Sequence, residues 1–264
     1  MDSHAPWLAS AYRTVRDQRE FGSSAMLATP YGFDLAGCPT MASGEFENEE
    51  IELFTTLLKD ASVCVDVGAN IGLYTLLSSR CGKRTIAVEP LAGNLKYLYK
   101  NLLHNHAKAE VFPVALGAEP GLQVLYGGTS CASFVKNWNK FPETWNTIVP
   151  LSTLDSLVSA RFSGEPMLIK IDVEGFEHEV LQGAMSTLQR SPKPTWLVEI
   201  CLDLNFPNKN NPRFEETFRL FTDLGYEARV ADRTQRVIQA DDIKRWAAQK
   251  HPDFGSINYL FIAK

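Results

Sequence analysis

The stretch Val63-Cys64-Val65-Asp66-Val67-Gly68-Ala69-Asn70-Ile71-Gly72 constrains this chain more than any other. It opens as a short apolar, β-branched run, the composition of a buried central strand. Two glycines four apart follow, and Leu73-Tyr74-Thr75-Leu76-Leu77 restarts as a helix. Strand, tight turn and helix N-terminus in that order predict a βα unit whose turn lets a ligand come close to the backbone. A dinucleotide turn needs three glycines spaced G-x-G-x-x-G, and Asp66 and Ile71 break that pattern. An acid at the strand end is poor company for a pyrophosphate and suits a cofactor carrying an ammonium group.

The next apolar run, Arg84-Thr85-Ile86-Ala87-Val88, ends in Glu89-Pro90. A carboxylate about twenty residues beyond the first glycine is where a doubly wound fold binds a ribose diol. An ammonium group and a ribose together describe S-adenosyl-L-methionine. Strand-like runs recur at Glu110–Gly117, Gly121–Tyr126, Met167–Ile171 and Thr195–Ile200, with helical patterns between them. Tyr226–Val230 and Asn258–Ala263 read as paired terminal strands. Alternating strands and helices predict an α/β fold, a mainly parallel sheet with helices on both faces. Four of its strands end at or beside a carboxylate: Asp66, Glu89, Asp172 and Glu199. That edge is where open α/β sheets bind ligands.

Other segments are read as follows. Trp7–Phe21 is compatible with a helix, and 22–37 with a loop or short hairpin. Glu45–Asp60 predicts an amphipathic helix with one polar lapse at Glu50, its crowd of acids read as a solvated face. Pro150–Leu157 opens a short helix, and Phe176, Val180, Leu181, Ala184 and Leu188 mark one face of another. Residues 127–150 are long for a connection. Their Trp138, Phe141 and Trp145 suit either stacking on a sugar face or a small satellite core. His104 and His106 read as surface, not as a metal pair.

The chain has 264 residues, 45% of them hydrophobic, enough for a full core. Its formal charge is −5, without a Lys/Arg run, which disfavours nucleic acid as a partner. No apolar run has transmembrane length. Five cysteines without C-x-x-C spacing read as reduced thiols of a cytoplasmic protein, with no zinc site. No metal is expected, although Asp172, Glu174 and Glu199 are oxygen donors of the type a hard divalent cation uses.

Taken together, Val65–Gly72, Val88-Glu89-Pro90, Thr153-Leu154-Asp155, Ile169-Lys170-Ile171-Asp172-Val173-Glu174-Gly175-Phe176-Glu177 and Leu181-Gln182-Gly183-Ala184 resemble the FkbM family of methyltransferases. The closing Asn258-Tyr259-Leu260-Phe261-Ile262 is similar to that family's last strand. The resemblance runs from about Gly44 to the C-terminus, which divides the chain into an N-terminal extension, 1–43, and a methyltransferase domain, 44–264. It implies a class I methyltransferase fold, Rossmann-like and doubly wound, with a seven-stranded sheet and one antiparallel strand. It implies S-adenosyl-L-methionine as cofactor and methyl transfer to a hydroxyl of a sugar, glycan or glycolipid, or of a polyketide or peptide natural product. The expected cofactor residues are Asp66, Gly68, Asn70, Gly72, Tyr74, Glu89, Asn94, Val114 and Ala115. The expected catalytic residues are Asp172 or Glu174 as base, Glu199 as orienting group and His178 as an outside candidate. A non-catalytic cofactor-binding protein, an NAD-dependent oxidoreductase and an RNA methyltransferase are the competing readings. The acceptor and the oligomeric state are left open.

Overall fold

The structure is a computed structural model, and it describes residues 25–264 except 129, 130 and 254. The helix expected over Trp7–Phe21 lies outside the described residues. The strands β1 (Leu27–Ala28) and β2 (Asp34–Leu35) form a small antiparallel hairpin, followed by α1 (Pro39–Ser43). The expected amphipathic helix is α2 (Asn48–Leu57), which tightens into a single turn to Asp60. Next come β3 (Val63–Val67), α3 (Leu73–Arg80), β4 (Arg84–Val88), α4 (Ala92–His104) and β5 (Glu110–Phe112). A second, three-stranded sheet holds β6 (Ala115–Leu116), β7 (Gly121–Tyr126) and β8 (Asn146–Ser152). The chain then returns through α5 (Leu154–Val158), β9 (Met167–Ile171), α6 (Glu177–Gln182), α7 (Met185–Leu188) and β10 (Thr195–Glu199). It finishes with α8 (Phe214–Thr222), β11 (Tyr226–Val230), α9 (Ala240–Gln249) and β12 (Asn258–Ala263).

The main sheet has seven strands in the order β11-β12-β10-β9-β3-β4-β5. All are parallel except β12, which runs antiparallel to β10 and β11. This is the class I arrangement that the resemblance implied. Its central strands are buried on both faces, so alternate residues feed two different cores. Val65, Ile169 and Val198 pack with Trp196, Phe218 and Phe261 on one side. Cys64, Leu168 and Leu197 pack with Phe54, Leu76 and Leu98 on the other. The chain winds outward from β3 through β4 and β5, then crosses to β9 and β10. The crossover leaves a crevice at the carboxyl end of β3, between the ends of β4 and β9.

Three expectations are corrected. The third strand does not run from Glu110 to Gly117: it leaves the main sheet at Pro113, which has no N–H for the ladder, and residues 115–116 pair with β8 instead. Residues 150–152 are strand, held extended by β7, and the helix begins only at Leu154. There the Thr153 hydroxyl caps it by accepting from Ser156 N–H at 3.1 Å. The single helix expected after Gly175 is split into α6 and α7. The Gly183 carbonyl accepts from Asp155 N–H at 2.9 Å, and the Asp155 carboxylate takes Ser186 and Thr187 N–H at 2.8 Å each. The Thr153-Leu154-Asp155 motif therefore anchors α7 to α5. Among the described residues, no helix is long and apolar enough to cross a membrane.

Candidate active site

The turn after β3 is closed by its own neighbours. Gly68 and Ala69 N–H both donate to the Val88 carbonyl, at 2.9 and 3.0 Å, and Gly72 N–H donates to Ala69 O at 2.8 Å. Asn70 N–H donates to Glu89 Oε2 at 2.9 Å. These amides are used inside the fold, so they do not form the row of free N–H groups that cradles a phosphate. What the turn presents is acceptors. The Asn70 Oδ1 is buried without a protein partner. Glu89 accepts from two backbone N–H groups, Asn70 and Leu91, the latter at 2.8 Å. A carboxylate has about four lone-pair sites, so capacity remains for ribose hydroxyls. Ammonium and hydroxyl donors fit this lining, whereas a pyrophosphate does not. The same accounting removes the dinucleotide reading.

A cavity of about 320 Å³ opens over the turn. Gly68, Asn70, Tyr74, Glu89, Asn94, Val114 and Ala115 line it, as do Asp172, Glu174 and Glu199. Asp66 does not. It lies within β3, not at its end, and its Oδ2 accepts from the Thr75 hydroxyl at 2.6 Å beneath the turn. Gly72 is the N-cap of α3 and supports the turn without lining the cavity. His178 is also absent from the lining. It points from α6 toward α8, with Nε2 3.8 Å from Glu216, and burial holds its pKa below the usual value. The Thr75 hydroxyl takes up the Asp66 carboxylate below the crevice, and the 100° step around a helix turns His178 away from it.

The floor holds a charge network that the sequence reading only half contained. Asp172 follows β9, and its N–H donates to Val67 O at 3.0 Å, tying the ends of β9 and β3 together. Lys170, 2% exposed within β9, places its ammonium 3.0 Å from Asp172 Oδ2 and 3.4 Å from Glu50 Oε1. The Tyr74 hydroxyl lies 2.7 Å from both Glu47 and Glu50. Burial, followed by the charge of Glu50, raises Glu47 to about 7. Contrary to expectation, the acids at the start of α2 are therefore not all a solvated face. Glu45 and Glu49 are exposed, but Glu50 is buried and Glu47 reaches the cavity. The signal was Glu50 itself, an acid at an apolar position of the helix.

Glu174 has φ +56, and its Oε2 accepts from Trp138 Nε1 at 3.1 Å. Glu199 Oε1 accepts from the Cys201 thiol at 3.3 Å. Glu47, Asp172 and Glu199 each bring an oxygen within 4.8 Å of the others. Positive charge at that point comes from the Lys170 ammonium. Burial, followed by the charge of Asp172, pushes Glu174 up to about 8 and Glu199 well above the usual carboxylate range. Of the two readings offered for the three aromatics, the packing matches the satellite core. Trp138, Phe141 and Trp145 are buried with Cys201 and Phe206 as a small satellite core, Trp138 edge-on to Phe206 at 4.8 Å.

These acids predict a pH dependence of stability. Burial raises Asp66 to about 6, and Glu47, Glu89 and Glu177 to about 7. Between pH 4.5 and 8 the folded chain then holds more protons than the unfolded chain, so stability falls as pH rises. For a single carboxyl, a pKa raised by one on folding is worth about 1.4 kcal/mol. The melting temperature of the ligand-free protein should drop by several degrees from pH 5.5 to 8.5, and a saturating cationic cofactor should flatten that slope. A melting temperature that rises with pH would show the acids to be ionised in the fold.

A family model described as the Methyltransferase FkbM domain matches residues 66–228. No curated protein matches the chain. Among solved structures, cofactor-bound Rv0187 from MTB aligns at 11% identity and TM-score 0.45, over 81% of this chain and 78% of that one. A SAM-dependent methyltransferase from Agrobacterium tumefaciens aligns at 9% identity and TM-score 0.44, over 90% and 68%. Precorrin-6y C5,15-methyltransferase from Geobacter metallireducens aligns at 11% identity and TM-score 0.42, over 80% and 84%.

Proposed function

The chain belongs to the FkbM methyltransferase family, with S-adenosyl-L-methionine as its cofactor, and from that premise we propose that it methylates a hydroxyl oxygen. When bound, the cofactor supplies a methyl group on a sulfonium, whose C–S bond breaks with its electron pair going to sulfur as the acceptor oxygen takes the methyl. The chain must align the two partners and accept the hydroxyl proton. Glu89 and Asn70 hold the ribose and the ammonium group, and Val114 and Ala115 border the adenine. Asp172 is the base. The observation that carries this role is its ion pair with buried Lys170, which fixes the carboxylate beside the cofactor turn. Glu174, raised to about 8, and Glu199, raised by burial, donate hydrogen bonds to the acceptor and orient it.

The acceptor is a sugar, glycan or glycolipid hydroxyl. Burial in the satellite core removes the support for sugar stacking, and the cavity lining includes Met41, Phe46 and Phe134. Those walls favour an acceptor with an apolar portion, and so a glycolipid over a free sugar. The same observation favours a second reading, a polyketide-type hydroxyl. Met41 belongs to the segment before residue 44, and its presence in the lining supports a part for the N-terminal extension in the acceptor wall.

Incubation with labelled cofactor and a panel of free sugars, glycolipids, macrolides, amines and RNA tests this. One added methylene on a hydroxyl of a glycolipid or macrolide is the expected product. Methylation of an amine, or of an RNA base, would overturn the hydroxyl reading.

A further inference from the structure

Lys170 is a cation in the middle of an otherwise apolar strand, Met167-Leu168-Ile169-Lys170-Ile171. An unpaired ammonium at 2% exposure is costly, and this one has partners on three sides. It hydrogen-bonds Asp172 Oδ2 at 3.0 Å and lies 3.4 Å from Glu50. It also sits 4.4 Å above the Tyr74 ring. Across the strand pair its register neighbour is Asp66. Asp172 keeps about a quarter of its side chain open (26%) on the cavity side.

We propose that Lys170 is a positioning residue for methyl transfer: its ammonium grips one oxygen of Asp172 and leaves the other free to take the acceptor's proton. This rests on the reading of Asp172 as the base. The grip does two things. It locks a side chain that otherwise rotates freely, and it sets a cation against the carboxylate among other acids. Those acids come from every neighbouring element: Glu47 and Glu50 from the α2 region, Asp66 from β3, Glu174 from the turn after β9, Glu177 from the start of α6, and Glu199 from β10. Tyr74 from α3 completes the surround, and among the described residues Lys170 is the one cation within it. Burial works against the Lys170 charge, but Asp172, Glu50, Glu47 and Asp66 together hold it well above the usual lysine value.

The test is single-turnover methylation across pH 5 to 10 by Lys170→Met and Lys170→Arg, at saturating cofactor and acceptor. Lys170→Met should slow the step about 10- to 100-fold near neutral pH and move the acid limb of the profile up by about one pH unit or more. Cofactor affinity should stay within about threefold of wild type, because the ammonium acts through Asp172 and not on the cofactor. Lys170→Arg, which keeps the charge, should restore the position of the limb. A uniform loss of rate at every pH, or equal damage by Met and Arg, would reduce Lys170 to a packing role. If Lys170→Met does not fold, Glu50→Gln carries the test. It leaves the ammonium in place with one competitor fewer, so the acid limb should move to lower pH, and an unmoved limb overturns the proposal. Asp172→Asn separates the two readings. Wild-type turnover by that variant refutes the base, whereas a slow Asp172→Asn beside an unshifted Lys170→Met refutes only the positioning role.

Discussion

Replacing Asp172 by asparagine should slow methyl transfer about 10²–10⁴-fold at saturating cofactor, the usual contribution of a general base. The substitution is nearly isosteric. Asn Oδ1 can still accept from Lys170, and the backbone bond from Asp172 N–H to Val67 O is untouched. What disappears is the capacity to hold a proton. Cofactor affinity, measured by calorimetry, should therefore stay near wild type while the chemical step collapses. Glu174→Gln and Glu199→Gln are the controls. Burial pushes both carboxyls up, Glu174 to about 8, so an amide resembles the neutral state that burial favours. Their losses should stay within about tenfold. If Glu174→Gln is the crippled variant and Asp172→Asn is not, the base is Glu174.

The second large effect is structural. A Cβ on Gly68 would lie 1.8 Å from the backbone oxygen of Asp172, at φ +85. The obstacle is main chain, in the segment that carries the base. Gly68→Ala must therefore push the end of β9 away from β3 or twist the turn out of its left-handed conformation. Strain of this kind costs about 1–3 kcal/mol, and overpacking adds about as much again. Denaturant unfolding should show a loss of about 2–5 kcal/mol on those two grounds, together with a large loss of cofactor affinity. Gly72→Ala is the comparison. Its φ is +96, but its Cβ would meet only the Leu98 side chain, at 2.5 Å from Cδ1, which can move. It should be the milder of the two. Equal damage from both would mean that backbone conformation dominates and that the approach to Asp172 does not.

The frame of the site was legible because backbone periodicity carries it. A β-branched run with two glycines behind it specified the turn, and four strand ends specified which edge gathers acids. The terminal antiparallel pair was legible for the same reason. What stayed hidden depends on which way a side chain faces. Asp66 shares a sheet face with Lys170, its register neighbour, but its carboxylate is taken up by the Thr75 hydroxyl beneath the turn. His178 follows Glu177 but turns toward α8. Lys170 was quoted as part of a motif, and its meaning needed a partner on α2, about 120 residues earlier in the chain, that periodicity cannot locate. The aromatics after Gly127 have the composition of a binding surface and the geometry of a core. Only the packing of Phe206 and Cys201 against them distinguishes the two.

The closed hydrogen bonding of the turn has a thermodynamic consequence. Because Gly68, Ala69 and Asn70 already donate to Val88 and Glu89, the turn holds its shape without help from a ligand. Binding there freezes few backbone degrees of freedom, so little of the interaction energy is lost to ordering. The same rigidity gives the turn no means of telling methylated from demethylated cofactor by changing shape. That discrimination falls to charge: the sulfonium is a cation and the spent thioether is not, and only the cation favours ionisation of Glu47 and Glu89, which burial raises to about 7. Release of the spent cofactor is therefore favoured by electrostatics in a site whose backbone hardly needs to move.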